Sequence, residues 1–77
     1  MMKEFLEFVV KHLVDHPENI LIELEEKESN YIFKLKVADS EVGKVIGKRG
    51  QTATALRVLL KAIGAKEGKR AVLDILG

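Results

Sequence analysis

The stretch Gly43-Lys44-Val45-Ile46-Gly47-Lys48-Arg49-Gly50 carries the most specific chemistry in the chain. A Gly-x-x-Gly unit, Gly47 to Gly50, encloses Lys48 and Arg49, and it follows an apolar pair and precedes a helix-forming run. Two positions without a Cβ allow a tight turn with positive φ, whose backbone can come close to another polymer. The run that follows, opening with Gln51 and Thr52, places helix N-terminal amides beside the turn, where anions are favoured. Lys48 and Arg49 add countercharge at the tip. Such a unit is suited to holding a sugar-phosphate backbone. The competing glycine-loop motifs fit poorly. A Walker A loop needs a Ser or Thr after its lysine, and Lys48 is followed by Arg49. A dinucleotide fingerprint follows a strand directly, whereas here a short helix is expected before the loop.

The elements that would hold this loop can be read in order. Phe5, Leu6, Val9, Val10 and Leu13 recur at three- and four-residue spacing and predict an amphipathic helix over Lys3–Asp15, stopped by Pro17. Alternating residues then predict strands over Ile20–Lys27 and Tyr31–Val37. Glu28-Ser29-Asn30 turns between them, and Glu23 and Glu25 pair across to Lys34 and Lys36. Asp39-Ser40 is read as the N-cap of a short helix, Glu41–Ile46. The glycine loop ends that helix, and a longer one, Gln51–Ile63, follows with Gly64 as its C′ residue. Its apolar stripe is Thr52, Ala53, Leu56, Leu59, Leu60 and Ile63, with Thr54, Arg57 and Lys61 as a narrow polar sector. Ala55, Val58 and Ala62 widen the apolar arc beyond one packing surface. Either basic side-chain stems shade them or they form a self-association surface. Leu21, Ile32, Val72 and Leu76 pose the same alternative on the sheet. Ala65–Lys69 is a basic loop and Arg70–Leu76 the last strand. The order helix–strand–strand–helix–loop–helix–strand, αββααβ, predicts an α+β fold. The second and third strands are then parallel neighbours joined by a right-handed crossover, giving a three-stranded mixed sheet with helices on one face.

Charge is divided along the chain. Residues 1–41 hold ten acids and five bases, and residues 42–77 hold eight bases against Glu67 and Asp74. The basic half marks one side for a polyanion, unless the solvated faces simply differ. With no cysteine, neither a disulfide framework nor a thiolate zinc site is available, which fits a reducing, cytoplasmic setting. Glu4, Glu7, Lys11 and His12 interrupt the apolar N-terminus, so neither a signal peptide nor membrane insertion is expected. His12 and His16 lack acidic or thiol partners at metal spacing. Ser29 and Ser40 are explained by a turn and a cap. No nucleophile, general base or oxyanion site is found, so neither catalysis, a cofactor nor a metal is expected.

Val45-Ile46-Gly47-Lys48-Arg49-Gly50-Gln51 resembles the signature of KH domains, whose GXXG loop clamps about four backbone nucleotides. Residues 1–77 as a whole resemble one KH domain of type II, similar to the bacterial single-domain KhpA family. The resemblance implies a single-stranded RNA-binding protein, an RNA chaperone or post-transcriptional regulator linked to cell shape and envelope control. It also implies a homodimer or a complex with a second, KhpB-like KH protein. Alternatives are a ribosome-associated or rRNA-maturation factor, and a protein-interaction module that no longer binds RNA. The residues it points to are Lys44, Val45, Ile46, Gly47, Lys48, Arg49, Gly50, Gln51 and Thr52 on one jaw, with Val45, Ile46 and parts of the Thr52–Leu56 turn on an aliphatic groove floor. Lys66, Lys69 and Arg70, at the Ala65–Lys69 loop, form the other. No aromatic residue falls near that groove, so recognition would rest on backbone clamping rather than base stacking on rings.

Overall fold

The computed structural model describes residues 1–76. Helix α1 spans Met2–Lys11, strands β1 and β2 span Leu21–Lys27 and Asn30–Lys36, and helix α2 spans Val42–Ile46. Helix α3 follows over Gln51–Lys66 and strand β3 over Arg70–Leu76. The sheet order is β1-β2-β3, with β1 antiparallel and β3 parallel to β2. The fold is thus α+β with a mixed three-stranded sheet, a type II KH-like arrangement in the αββααβ order.

Alternation along the strands sends Ile22, Phe33, Leu35 and Leu73 to one face, where they are buried against Leu6 and Val10 of α1 and Leu56 and Leu60 of α3. The opposite face, with Leu21, Glu23, Lys36, Val72 and Asp74, is open to solvent. A two-residue turn, Glu28-Ser29, closes the hairpin, with Glu28 at φ 47°. The Ser29 carbonyl accepts from the Arg70 N–H at 2.8 Å, which fixes where β3 begins beside β2.

Several boundaries differ from the sequence expectation, each for a local reason. Helix α1 ends at Lys11 rather than Asp15. The Leu13 N–H bonds three residues back to Val10 at 2.9 Å, and His12 Nδ1 lies 2.7 Å from the Phe8 carbonyl, so the last turn tightens before Pro17 acts. Asp39 and Ser40 form a 3-10 turn with Glu41 and make no side-chain cap. Register places Glu23 opposite Lys34 but Lys36 opposite Leu21, and Lys34 pairs diagonally with Glu25 at 3.3 Å. On α3, Leu59 is 48% exposed and lies outside the core stripe.

Gly64 does not end α3. It is buried inside the helix, and a Cβ there would stand 2.8 Å from the Lys69 carbonyl. The C′ role falls to Gly68, at φ 72°. Its N–H bonds to the Ala65 carbonyl at 3.1 Å while the Lys69 N–H bonds to the Gly64 carbonyl at 2.8 Å, the paired closure of a Schellman motif.

Candidate nucleic-acid interface

Helix α2 is only five residues long because Gly47, at φ 79° and ψ 172°, turns the chain out of helical geometry. No side chain fits at Gly47: a Cβ there would clash with Thr52 Oγ1 and stand 2.9 Å from the Thr52 backbone nitrogen. The Gly50 N–H returns to the Gly47 carbonyl at 3.1 Å, making one tight turn. Within it Arg49 sits at φ 57° and ψ 27°, and Gly50 at φ 73°. A left-handed arginine costs on the order of 1–2 kcal/mol, and strain of this kind clusters at binding loops. Lys48, Arg49 and Gln51 are exposed, and among the described residues neither loop cation has an acidic partner.

Two residues expected at this jaw are placed elsewhere. Val45 is wholly buried in the core, so it props the loop from beneath and does not line a groove floor. Ile46 stays half-buried beside it. Lys44 turns back to the connector after α1, where its ammonium hydrogen-bonds the Asp15 carboxylate and lies 3.6 Å from Glu41. The Lys44 hydrogen bond holds the Asp15 carboxyl below its usual range, and Asp15 in turn raises Lys44. Glu41 is the deepest charged group, 2% exposed. Its carboxylate accepts the backbone N–H groups of Asp15 and, at 3.1 Å, His16. This tie anchors the helix carrying the loop to the connector before Pro17. Sequence reasoning could not find it, because its two partners lie 26 and 25 residues away.

The second expected jaw lies at the far end of α3. Sixteen residues of helix separate it from the glycine turn by roughly 22 Å. Lys69 is withdrawn toward the hairpin: its ammonium donates to the Glu28 carbonyl at 3.1 Å and stands 5.3 Å above the Tyr31 ring. Lys66 is exposed. Arg70 alone of the three joins a groove of about 200 Å³, which is walled by α3 and the free edge of β3 and lined by Arg57, Lys61, Arg70, Ala71, Val72 and Leu73.

Arg57 and Lys61 were absent from the expected site. The helical wheel did place them in a polar sector, but only the packing of α3 shows that this sector overlooks the β3 edge. Thr54, one turn before Arg57, lies on the same flank and leads back to the glycine turn. Arg57 crosses the groove: its Nε–H donates to the Leu73 carbonyl at 3.2 Å. Because a strand residue points its N–H and C=O the same way, the Leu73 N–H also faces the open edge. The exposed cations Lys48, Arg49, Arg57, Lys61 and Arg70 thus lie on the glycine turn and on the two walls of this groove, which carries backbone donors at its β3 edge. Among the described residues it holds no general acid or base pair, and its charge suits an extended polyanion.

Over residues 3–75 the chain matches the family described as KhpA/KhpB, KH domain. It is 43% identical over 75 residues to the RNA-binding protein KhpA of Listeria monocytogenes, covering 97% of this chain and 99% of that one. It is 44% identical over 75 residues to RNA-binding protein KhpA of Clostridium acetobutylicum, covering 97% and 100%. Against RNA-binding protein KhpA of Aquifex aeolicus the identity is 45% over 75 residues, covering 97% and 95%. No solved structure matches.

Proposed function

The chain belongs to the KhpA/KhpB KH-domain family, and from that premise we propose that it is a cytoplasmic protein that binds single-stranded RNA without modifying it. The observation that carries this reading is the strained glycine turn, with Lys48 and Arg49 exposed at its tip, at the start of the helix whose Arg57 and Lys61 wall the groove beside the β3 edge. In this reading Gly47, Lys48, Arg49, Gly50, Gln51 and Thr52 take the phosphates of about four nucleotides. The strand then runs along α3 past Arg57 and Lys61 to Arg70. The bases turn to the aliphatic wall and to the Leu73 N–H. One copy binds with affinity on the order of micromolar and with strong salt dependence. Its use is that of an RNA chaperone or post-transcriptional regulator.

Titration of a labelled single-stranded RNA against the wild type and a Lys48→Asp, Arg49→Asp variant tests the reading. The reversal is expected to abolish measurable binding while circular dichroism stays native. If both proteins are equally inert with the fold intact, the chain is an interaction module. Cross-linked RNA from cells that consists only of rRNA would favour a ribosomal role.

Val58 and Leu59 are 60% and 48% exposed on α3, and Phe8 is 62% exposed on α1. These residues favour a protein contact in addition, with a second copy or a KhpB-like partner. Pairing two modules would raise weak RNA affinity through effective concentration. A sedimentation coefficient of a monomer at all concentrations would exclude the homodimer.

A further inference from the structure

We infer that Arg57 is a specificity-determining residue, which selects an RNA base presenting two adjacent hydrogen-bond acceptors, cytosine or guanine, in the groove between α3 and β3. The inference rests on the proposed binding of RNA in that groove and adds base preference to it. Arg57 Nε is already engaged by the Leu73 carbonyl at 3.2 Å. That bond fixes the plane of the guanidinium and engages one of its three nitrogens. The two terminal amino groups remain, without partners among the described residues, as a pair of parallel donors. The other side chains lining the groove are Lys61, Arg70, Ala71, Val72 and Leu73, so neither a carboxylate nor an aromatic ring lines it. The charged side chains in the groove therefore only donate.

A donor pair in fixed geometry selects by acceptor pattern. Cytosine offers O2 and N3 side by side, and guanine offers O6 and N7. Adenine and uracil alternate a donor with an acceptor along every edge, so one of the two arginine donors would meet an N–H. Bidentate arginine contact of this kind supplies the commonest specific contact to guanine in duplexes. A cavity of about 200 Å³ admits one base at a time, so the preference concerns a single position in the bound strand.

The test uses four labelled octamers of uridine in which one central position is C, G, A or U, titrated by fluorescence anisotropy against the intact chain. The wild type is expected to bind the C and G octamers at least about five-fold more tightly than the A and U octamers, the lower end of a bidentate contact. Arg57→Lys keeps the charge but not the paired donors, and is expected to bring the ratio to about one. Equal wild-type affinity for all four octamers overturns the inference, whatever the variant does. So does an Arg57→Lys protein that loses affinity uniformly while keeping the C and G preference, the mark of a strut between α3 and β3. If the wild type binds none of the octamers, the proposed function itself fails. If it binds all four equally and the Lys48→Asp, Arg49→Asp variant does not, that reading stands and only the role of Arg57 falls.

Discussion

Replacing Lys48 and Arg49 together by alanine should change the salt dependence of RNA binding by an amount the structure sets. Five cations line the proposed path: Lys48 and Arg49 at the turn, and Arg57, Lys61 and Arg70 along the groove. Lys44 and Lys69 do not count, because Asp15 and the Glu28 carbonyl hold them. Each phosphate neutralised on a single strand contributes about −0.7 to the slope of log K against log salt, so five give about −3.5 and three give about −2.1. Raising salt from about 50 to about 200 mM should then weaken the wild type about 130-fold and the double variant about 20-fold. Anisotropy titrations across that range read both slopes directly. A double variant whose slope equals that of the wild type would refute the reasoning, because the turn cations would then touch no phosphate.

The remaining expectations concern how the fold holds this surface. Gly47→Ala should cost about 1–3 kcal/mol, through its φ of 79° and the clash with Thr52, and weaken RNA binding as well. Gly50→Asn, in open space with φ 73°, should cost less than about 1 kcal/mol, because asparagine tolerates the left-handed region; thermal melts compare the two. Glu41→Ala orphans the Asp15 and His16 amides and should cost about 2–3 kcal/mol, with Glu41→Gln recovering part of it in urea melts. Gly64→Ala should lower the melting temperature although alanine is the better helix former, since its Cβ would meet the Lys69 carbonyl at 2.8 Å. Asp15 has a lowered folded-state pKa, so its pairing with Lys44 stabilises the fold fully above the ordinary aspartate pKa and is lost as pH falls through the lowered value. Asp15→Asn should therefore flatten the acid limb of stability against pH below about 4 and leave the neutral region parallel to the wild type.

The order of elements and the position of the turn were legible because both are written locally. Period-two alternation marks β1 and β2, and Gly47 and Gly50 punctuate two helical runs. Features settled between distant residues were not legible. Gly64 reads as a helix end until the approach of Lys69 and Ala71 requires a small residue there inside the helix. Glu41 reads as a first-turn acid, and only the path of the α1–β1 connector makes it a buried clamp. Lys69 belongs to a basic loop in the sequence, but Tyr31 and Glu28 draw it toward the hairpin. Leu59 fits the core stripe on a wheel, yet α3 packs with Ala53, Leu56 and Leu60 inward and leaves it exposed. The packing of α3 beside β3 turns Arg57 and Lys61 from a solvated sector into a groove wall.

The most direct measurement is a two-dimensional amide NMR titration of the labelled chain with a single-stranded RNA octamer. The account predicts shifts confined to Gly47–Thr52, to Ala71–Leu73 and to the Arg57 side-chain Nε–H, with β1 and the open face of the sheet silent. Shifts centred on Leu21–Lys27, with the glycine turn unmoved, would contradict it.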